Sequence, residues 1–170
     1  MPKVAVIMGS DSDFDVVKKC LIALEKFDIE YDAEVISAHR NPDKIFSYVR
    51  SAEENGIELI IGAAGKAAHL PGVMAGLTPL PVIGIPIQTS FQGGLDSLLS
   101  IVQMPSGVPV ATVAVNGAEN AGILAAQMLS IKYPEIREKM KAYKETLDEE
   151  VAAKNEKLQA KIMVNRLFQI

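Results

Sequence analysis

Residues 3–27, KVAVIMGSDSDFDVVKKCLIALEKF, contain a change of hydrophobic period that decides the fold. Residues 3–8 are an apolar run of strand length, closed by Gly9 and a short polar loop. A strand with no polar alternation has both faces covered, as in a parallel sheet. From Phe14 the period lengthens, and Val17, Leu21, Leu24 and Phe27 recur at helical spacing. Strand, polar loop and helix are the opening of a βαβ unit.

The same alternation continues outward. YDAEVIS (31–37) reads as a second strand, and Pro42–Glu54 as a helix with proline in its first turn. IELIIGA (57–63) is a third strand, followed by a short helix in AAHLPGVMAGLT (67–78) that Pro71 and Gly72 should interrupt. PVIGIPI (81–87) and VPVATVAV (108–115) supply the fourth and fifth strands, with helical GLDSLLSIVQM (94–104) between them. AENAGILAAQMLSI (118–131) is a helix full of small residues. Strands alternating with helices imply a parallel sheet with helices on both faces, joined by right-handed crossovers. The expectation is a three-layer, doubly wound α/β domain of flavodoxin-like strand order 2-1-3-4-5.

That domain occupies residues 1–133, and residues 134–170 form a helical extension of the same unit. In the extension Ile136, Met140, Tyr143, Leu147 and Val151 make an apolar stripe, resumed by Leu158 and Ile162. One stripe on a long charged helix must be buried against something. It can pack on its own domain or across a subunit boundary. The second reading is favoured here, because five strands and five helices already complete a domain.

At 170 residues, 49% hydrophobic and 22% charged, the chain has the balance of a soluble protein with one core. It lacks an apolar run of membrane-spanning length and a signal-peptide layout, so cytoplasmic residence is expected. A net charge of −4 argues against a general nucleic-acid footprint, leaving any anionic ligand to local features. The single cysteine, Cys20, cannot form an internal disulfide and reads as a small buried apolar residue.

Chemistry-bearing residues collect in the loops after the first three strands: GSDSD (9–13), SAHRNP (37–42) and AAGKAAHLPG (63–72). In an open parallel sheet these loops meet where ligands bind. Backbone N–H groups after Gly9, with the Ser10 hydroxyl, can receive an anion. Asp11 and Asp13 would repel phosphate, so one of them suits sugar hydroxyls; the alternative is helix capping, with Ser12 opposite Asp15. Arg40 offers a planar donor fork for phosphate or carboxylate, and Ser37 a further donor. His39 can exchange protons near neutrality. Gly65 allows a flat ligand close to the backbone, and His69 stands at a helix start. Lys66 is an anion contact or merely solvated. Two histidines without a third ligand do not make a metal site. P-loop, dinucleotide-binding and HExxH motifs are all missing from the sequence.

MGSDSD, SAHRNP, GKAAHLPG and GLDSLLSIVQMPSGVPVATVAV together resemble the class I PurE family, the N5-carboxyaminoimidazole ribonucleotide mutases of de novo purine synthesis. The resemblance runs from about residue 3 to 131. It implies a flavodoxin-like homo-octamer that uses no metal, nucleotide or biotin cofactor. It also implies that Ser10, Ser37 and Arg40 hold the substrate's 5′-phosphate and Asp13 its ribose. His39 is then the general acid/base, while Gly65, His69 and Leu70 line the pocket for base and carboxylate. The loops resemble the mutase class more than the direct carboxylases, which are the nearest alternative. A flavodoxin-like binding or regulatory module is more distant, since the fifth strand ends AVNG without the lysine a phosphoryl-acceptor site needs. Where family members often read GAGGAAHLPG, this chain has Ala63 and Lys66 in place of glycines.

Overall fold

Strand β1 (Lys3–Met8) shows why the chain folds in layers, since Val4, Ala5, Val6 and Ile7 are all fully buried. Alternate side chains of a strand point to opposite faces, so one buried strand feeds two cores. Val4, Val6 and Met8 enter one core with Leu59, Ile61 and Ala63 of β3 (Ile57–Ala64). Ala5 and Ile7 enter the other, with Ile60 and Ala64. The computed structural model describes residues 1–167.

The remaining elements are α1 (Phe14–Lys26), β2 (Glu30–Val35), α2 (Pro42–Arg50), α3 (Leu70–Ala75), β4 (Val82–Pro86), α4 (Leu95–Val102), β5 (Ala111–Thr112), α5 (Ala118–Leu129) and α6 (Pro134–Leu167). The five strands are parallel in the order β2-β1-β3-β4-β5, with Val6 opposite both Ala33 and Ile61. Helices α1 and α5 and the start of α6 cover the first core, and α2, α3 and α4 cover the second. This is the flavodoxin-like doubly wound sheet expected from the alternation.

Close packing of α1 on α5 depends on a missing side chain. A Cβ added at Gly122 would lie 2.8 Å from the Cys20 carbonyl oxygen and 2.7 Å from Ala23 Cβ. Cys20 is buried in that contact, where desolvation pushes its thiol up to about 12.

Three elements depart from the sequence expectation. Strand β5 keeps only Ala111 and Thr112 of the expected 108–115, paired with Ile83 and Gly84. It lies at the sheet edge, and Pro109 has no N–H to extend the ladder. Pro71 and Gly72 do not interrupt α3. Pro71 stands in its first turn, where no N–H is needed, and a Cβ on Gly72 would be 2.7 Å from Met104 Sδ. Helix α2 stops at Arg50 rather than Glu54, because the chain then turns through Gly56 at φ +79°.

The stripe on α6 divides. Ile136 and Met140 are buried on their own domain, and Tyr143 meets Phe27 edge-on at 5.7 Å. Glu58 fastens the preceding turn by accepting from Lys132 (2.7 Å) and Tyr133 (2.5 Å), and Lys139 pairs with Asp28. Farther on, Val151 is 64% exposed and Leu158 53%. The subunit-boundary reading of the whole stripe is therefore corrected for its first three residues, which the apolar faces of α1 and α5 cover. The expected extension, 134–170, is helical to Leu167; its last residues, 168–170, lie outside the described residues.

Candidate active site

The C-terminal ends of β1, β2, β3 and β4 open into a cleft of about 1010 Å³. The parallel sheet turns every strand-to-helix loop toward this edge, so residues distant in sequence share one wall. The eight residues that the resemblance assigns to the site all line it: Ser10, Asp13, Ser37, His39, Arg40, Gly65, His69 and Leu70; Lys66 lines it too, whereas Asp11 is not among the lining residues.

After β1, the Gly9 N–H bonds the Ala63 carbonyl at 3.0 Å and joins the first and third loops. The Ser10 hydroxyl accepts from the Ser12 N–H (3.3 Å) and hydroxyl (2.8 Å), shaping a 3-10 turn over Asp11–Asp13. The alternative capping pair does not form, because Asp15 instead accepts from Lys18 at 2.8 Å. Asp13 is only 8% exposed, and burial raises its carboxyl above the ordinary value despite bonds from Ser12 and the local backbone that lower it. A largely buried carboxyl group lining the cleft is suited to accept hydrogen bonds from a ligand.

In the second loop Ser37 organises Arg40. Its Oγ accepts from the Arg40 backbone N–H at 3.2 Å and from Nε at 3.4 Å, while the guanidinium also donates to the Gly9 carbonyl at 3.5 Å. The guanidinium is thereby turned toward the Ser10 loop.

His39 and His69 meet across the second and third loops, Nε2 to Nδ1, at 2.8 Å. Their rings are nearly edge-on, with centroids 4.9 Å apart. In this contact one ring nitrogen donates its hydrogen and the other accepts, so each ring constrains the other's tautomer. His69 precedes α3 directly, and Leu70 behind it is 2% exposed and forms apolar floor. Gly65 stands against Thr89 and Ile87, where a Cβ would make ordinary contact at 3.5–3.6 Å. Among the described residues no third His, Cys, Asp or Glu joins the pair as a metal-binding group.

The sequence reading missed the fourth wall. Gln88, Thr89 and Ser90 follow β4, and Asp96 stands in the first turn of α4. Thr89 donates to Asp96 at 2.6 Å, and Gln88 is held from both ends by Asn116, at 2.9 and 3.1 Å. The available signal was position: QTS follows a buried strand on the same edge as the other three loops.

Fold and cleft together define a doubly wound α/β protein that brings an arginine, serine hydroxyls, a buried aspartate and a contacting histidine pair to the ligand-binding edge of its sheet. Such an arrangement can hold an anionic sugar derivative beside a proton-transfer centre. The AIR carboxylase family model matches residues 3–150, and the chain belongs to that family. It is 60% identical over 159 residues to the N5-carboxyaminoimidazole ribonucleotide mutase of Thermotoga maritima, covering 94% of this chain and 93% of the relative. The protein of that name from Pyrococcus abyssi is 60% identical over 147 residues, covering 86% and 84%. Among solved structures, Treponema denticola PurE superposes with a TM-score of 0.85 at 30% identity, covering 93% of this chain and 99% of that one.

Proposed function

We propose that the chain is an N5-carboxyaminoimidazole ribonucleotide mutase of purine biosynthesis, moving a carboxylate from the exocyclic nitrogen to ring carbon C4. Relatives of that name at 60% identity over nearly the whole chain support the activity. The observation that carries the mechanism is the 2.8 Å His39–His69 contact beside Arg40.

In this reading Arg40, Ser37 and Ser10 hold the 5′-phosphate, and Asp13 accepts from the ribose hydroxyls. Arg40 adjoins His39 in the chain, so anchoring the phosphate sets the ring against the histidine. Protonation of the carbamate nitrogen by the imidazolium form of His39 lets the N–C bond break, with its electron pair staying on nitrogen, and releases CO2. The remaining aminoimidazole is enamine-like, and its C4 attacks the CO2 carbon to form the new C–C bond. His39 then takes the proton from C4, which restores aromaticity. One proton leaves the histidine and one returns, so atoms and charge balance. His69 receives the hydrogen bond of His39 in one tautomer and supplies it in the other. Gly65 and Leu70 line the wall of the cleft that in this reading keeps CO2 near C4, where proximity replaces a bimolecular capture.

Purified protein given the N5-carboxylated ribonucleotide alone should form the C4 product without ATP, metal or bicarbonate. Product formed only from aminoimidazole ribonucleotide and CO2 would make it a direct carboxylase instead.

The same reading puts the enzyme in the cytoplasm with its charged, water-soluble substrate, as localisation of a fluorescent fusion would test. Among the described residues no helix is long and apolar enough to cross a membrane. Residues 1–133 supply the whole cleft, and the part of the extension beyond Leu147 serves assembly. A closed homo-oligomer, the octamer of the family resemblance, is supported by Val151, Leu158 and Met163, which stay more than half exposed on α6 of the single chain. Light scattering should find the oligomer in the full chain and a smaller species in one ending at Leu147. A full-length monomer would refute it.

A further inference from the structure

Among the described residues, Arg40 and Lys66 are the arginine and lysine that line the cleft. Arg40 is held by Ser37 and the Gly9 carbonyl, whereas the Lys66 side chain joins none of the ion pairs or hydrogen bonds among the described residues. Its backbone is fixed all the same. Lys66 sits at φ +57°, and its carbonyl accepts from the Ala68 N–H at 2.9 Å and from Ser100 Oγ at 3.5 Å. A left-handed conformation disfavours a residue with a side chain, so the loop presents an ammonium group from a turn that glycine would form more readily.

The nearby acids are engaged elsewhere. Asp96 takes the Thr89 hydroxyl at 2.6 Å, and Asp13 lies in the β1 loop with Ser12. Arg40 follows β2 and Lys66 follows β3, the strands on either side of β1. Two strand spacings separate those strands, about 10 Å. The histidine pair bridges the two loops that carry the cations.

The ribonucleotide of the proposed reaction has a matching charge pattern, with phosphate at one end and carboxylate at the base. One guanidinium cannot reach both. Resting on the mutase reading of the cleft, we propose that Lys66 is the cation that binds the migrating carboxylate, on N5 before transfer and on C4 after it. Because it attracts the carboxylate in substrate and product alike, its loss should weaken binding more than it slows the chemical step.

The test uses Lys66→Gln, which removes the charge but keeps a side chain at the left-handed position. Lys66→Gly and Lys66→Arg accompany it. Binding of the 4-carboxylated ribonucleotide is compared with that of aminoimidazole ribonucleotide, which lacks the carboxylate. Loss of one partly solvated charged hydrogen bond should weaken the carboxylated ligand about 10-fold in the Gln and Gly variants, and the other ligand less than about 2-fold. Lys66→Arg should stay within about 3-fold of wild type for both. Equal weakening of both ligands, or of neither, would overturn the assignment while leaving the mutase reading intact if the wild type still converts its substrate. A wild type that converts no carboxylated ribonucleotide would overturn both.

Discussion

Replacing His39 by Asn isolates proton transfer from binding and folding. His39 is exposed in the cleft, and its side-chain hydrogen bond goes to His69 at 2.8 Å. Its removal opens no core cavity, so stability should change by no more than about 0.5 kcal/mol. Asn keeps a polar group near His69, and Arg40 and Ser37 are untouched, so ribonucleotide binding should survive. Turnover should not. A positioned acid or base contributes roughly 10²–10⁴-fold to a proton transfer, and here one side chain serves two successive transfers. The slower step alone sets the rate, so the two factors do not multiply. The expected fall in kcat is about 10²–10⁴-fold, or about 2.7–5.5 kcal/mol in barrier. Product formation at saturating ribonucleotide measures kcat, titration measures affinity, and thermal melting checks the fold. A folded variant within about tenfold of wild-type turnover would remove His39 from the acid/base role.

Arg40→Ala should weaken phosphorylated ligands by about 1.5–3 kcal/mol while barely affecting the dephosphorylated nucleoside, and equal losses by titration would make Arg40 structural. Asp13 binds its proton more tightly folded than unfolded, because burial raises it from 3.8. Its contribution to stability therefore declines as pH rises through the folded value, leaving a cost at neutral pH. Asp13→Asn should melt no lower than wild type at pH 7, with any gain shrinking toward acid pH, yet bind ribonucleotide more weakly; a lower melting temperature at pH 7 would contradict this. Gly122→Ala drives a Cβ to 2.8 Å from the Cys20 carbonyl, which backbone cannot easily relieve. It should cost about 1–3 kcal/mol, seen as a melting shift of about 2–4 °C per kcal/mol, and an unchanged melt would show that α1 and α5 separate freely.

The layered fold was legible because buried parallel strands leave apolar runs and their helices leave a longer period. What the sequence could not display was context. VPVATVAV has strand composition, yet its place at the edge and Pro109 reduce it to Ala111–Thr112. The stripe on α6 showed that burial was required without naming the partner, and Ile136 and Val151 meet opposite environments. All eight expected site residues share the cleft because the topology rule converts loop order into proximity. Gln88, Thr89 and Asp96 escaped notice because no histidine or arginine marked their loop. The His39–His69 contact spans 30 positions and exists only once β2 and β3 flank β1.

The central claim is that the carboxylate leaves nitrogen and reaches C4 without escaping the cleft. It can be tested with substrate carrying a ¹³C-labelled N5-carboxylate, converted in buffer containing excess unlabelled bicarbonate. The C4 carboxylate of the first-formed product should retain the label. Product whose carboxylate carries solvent carbon would mean that CO2 enters from solution, and would contradict it.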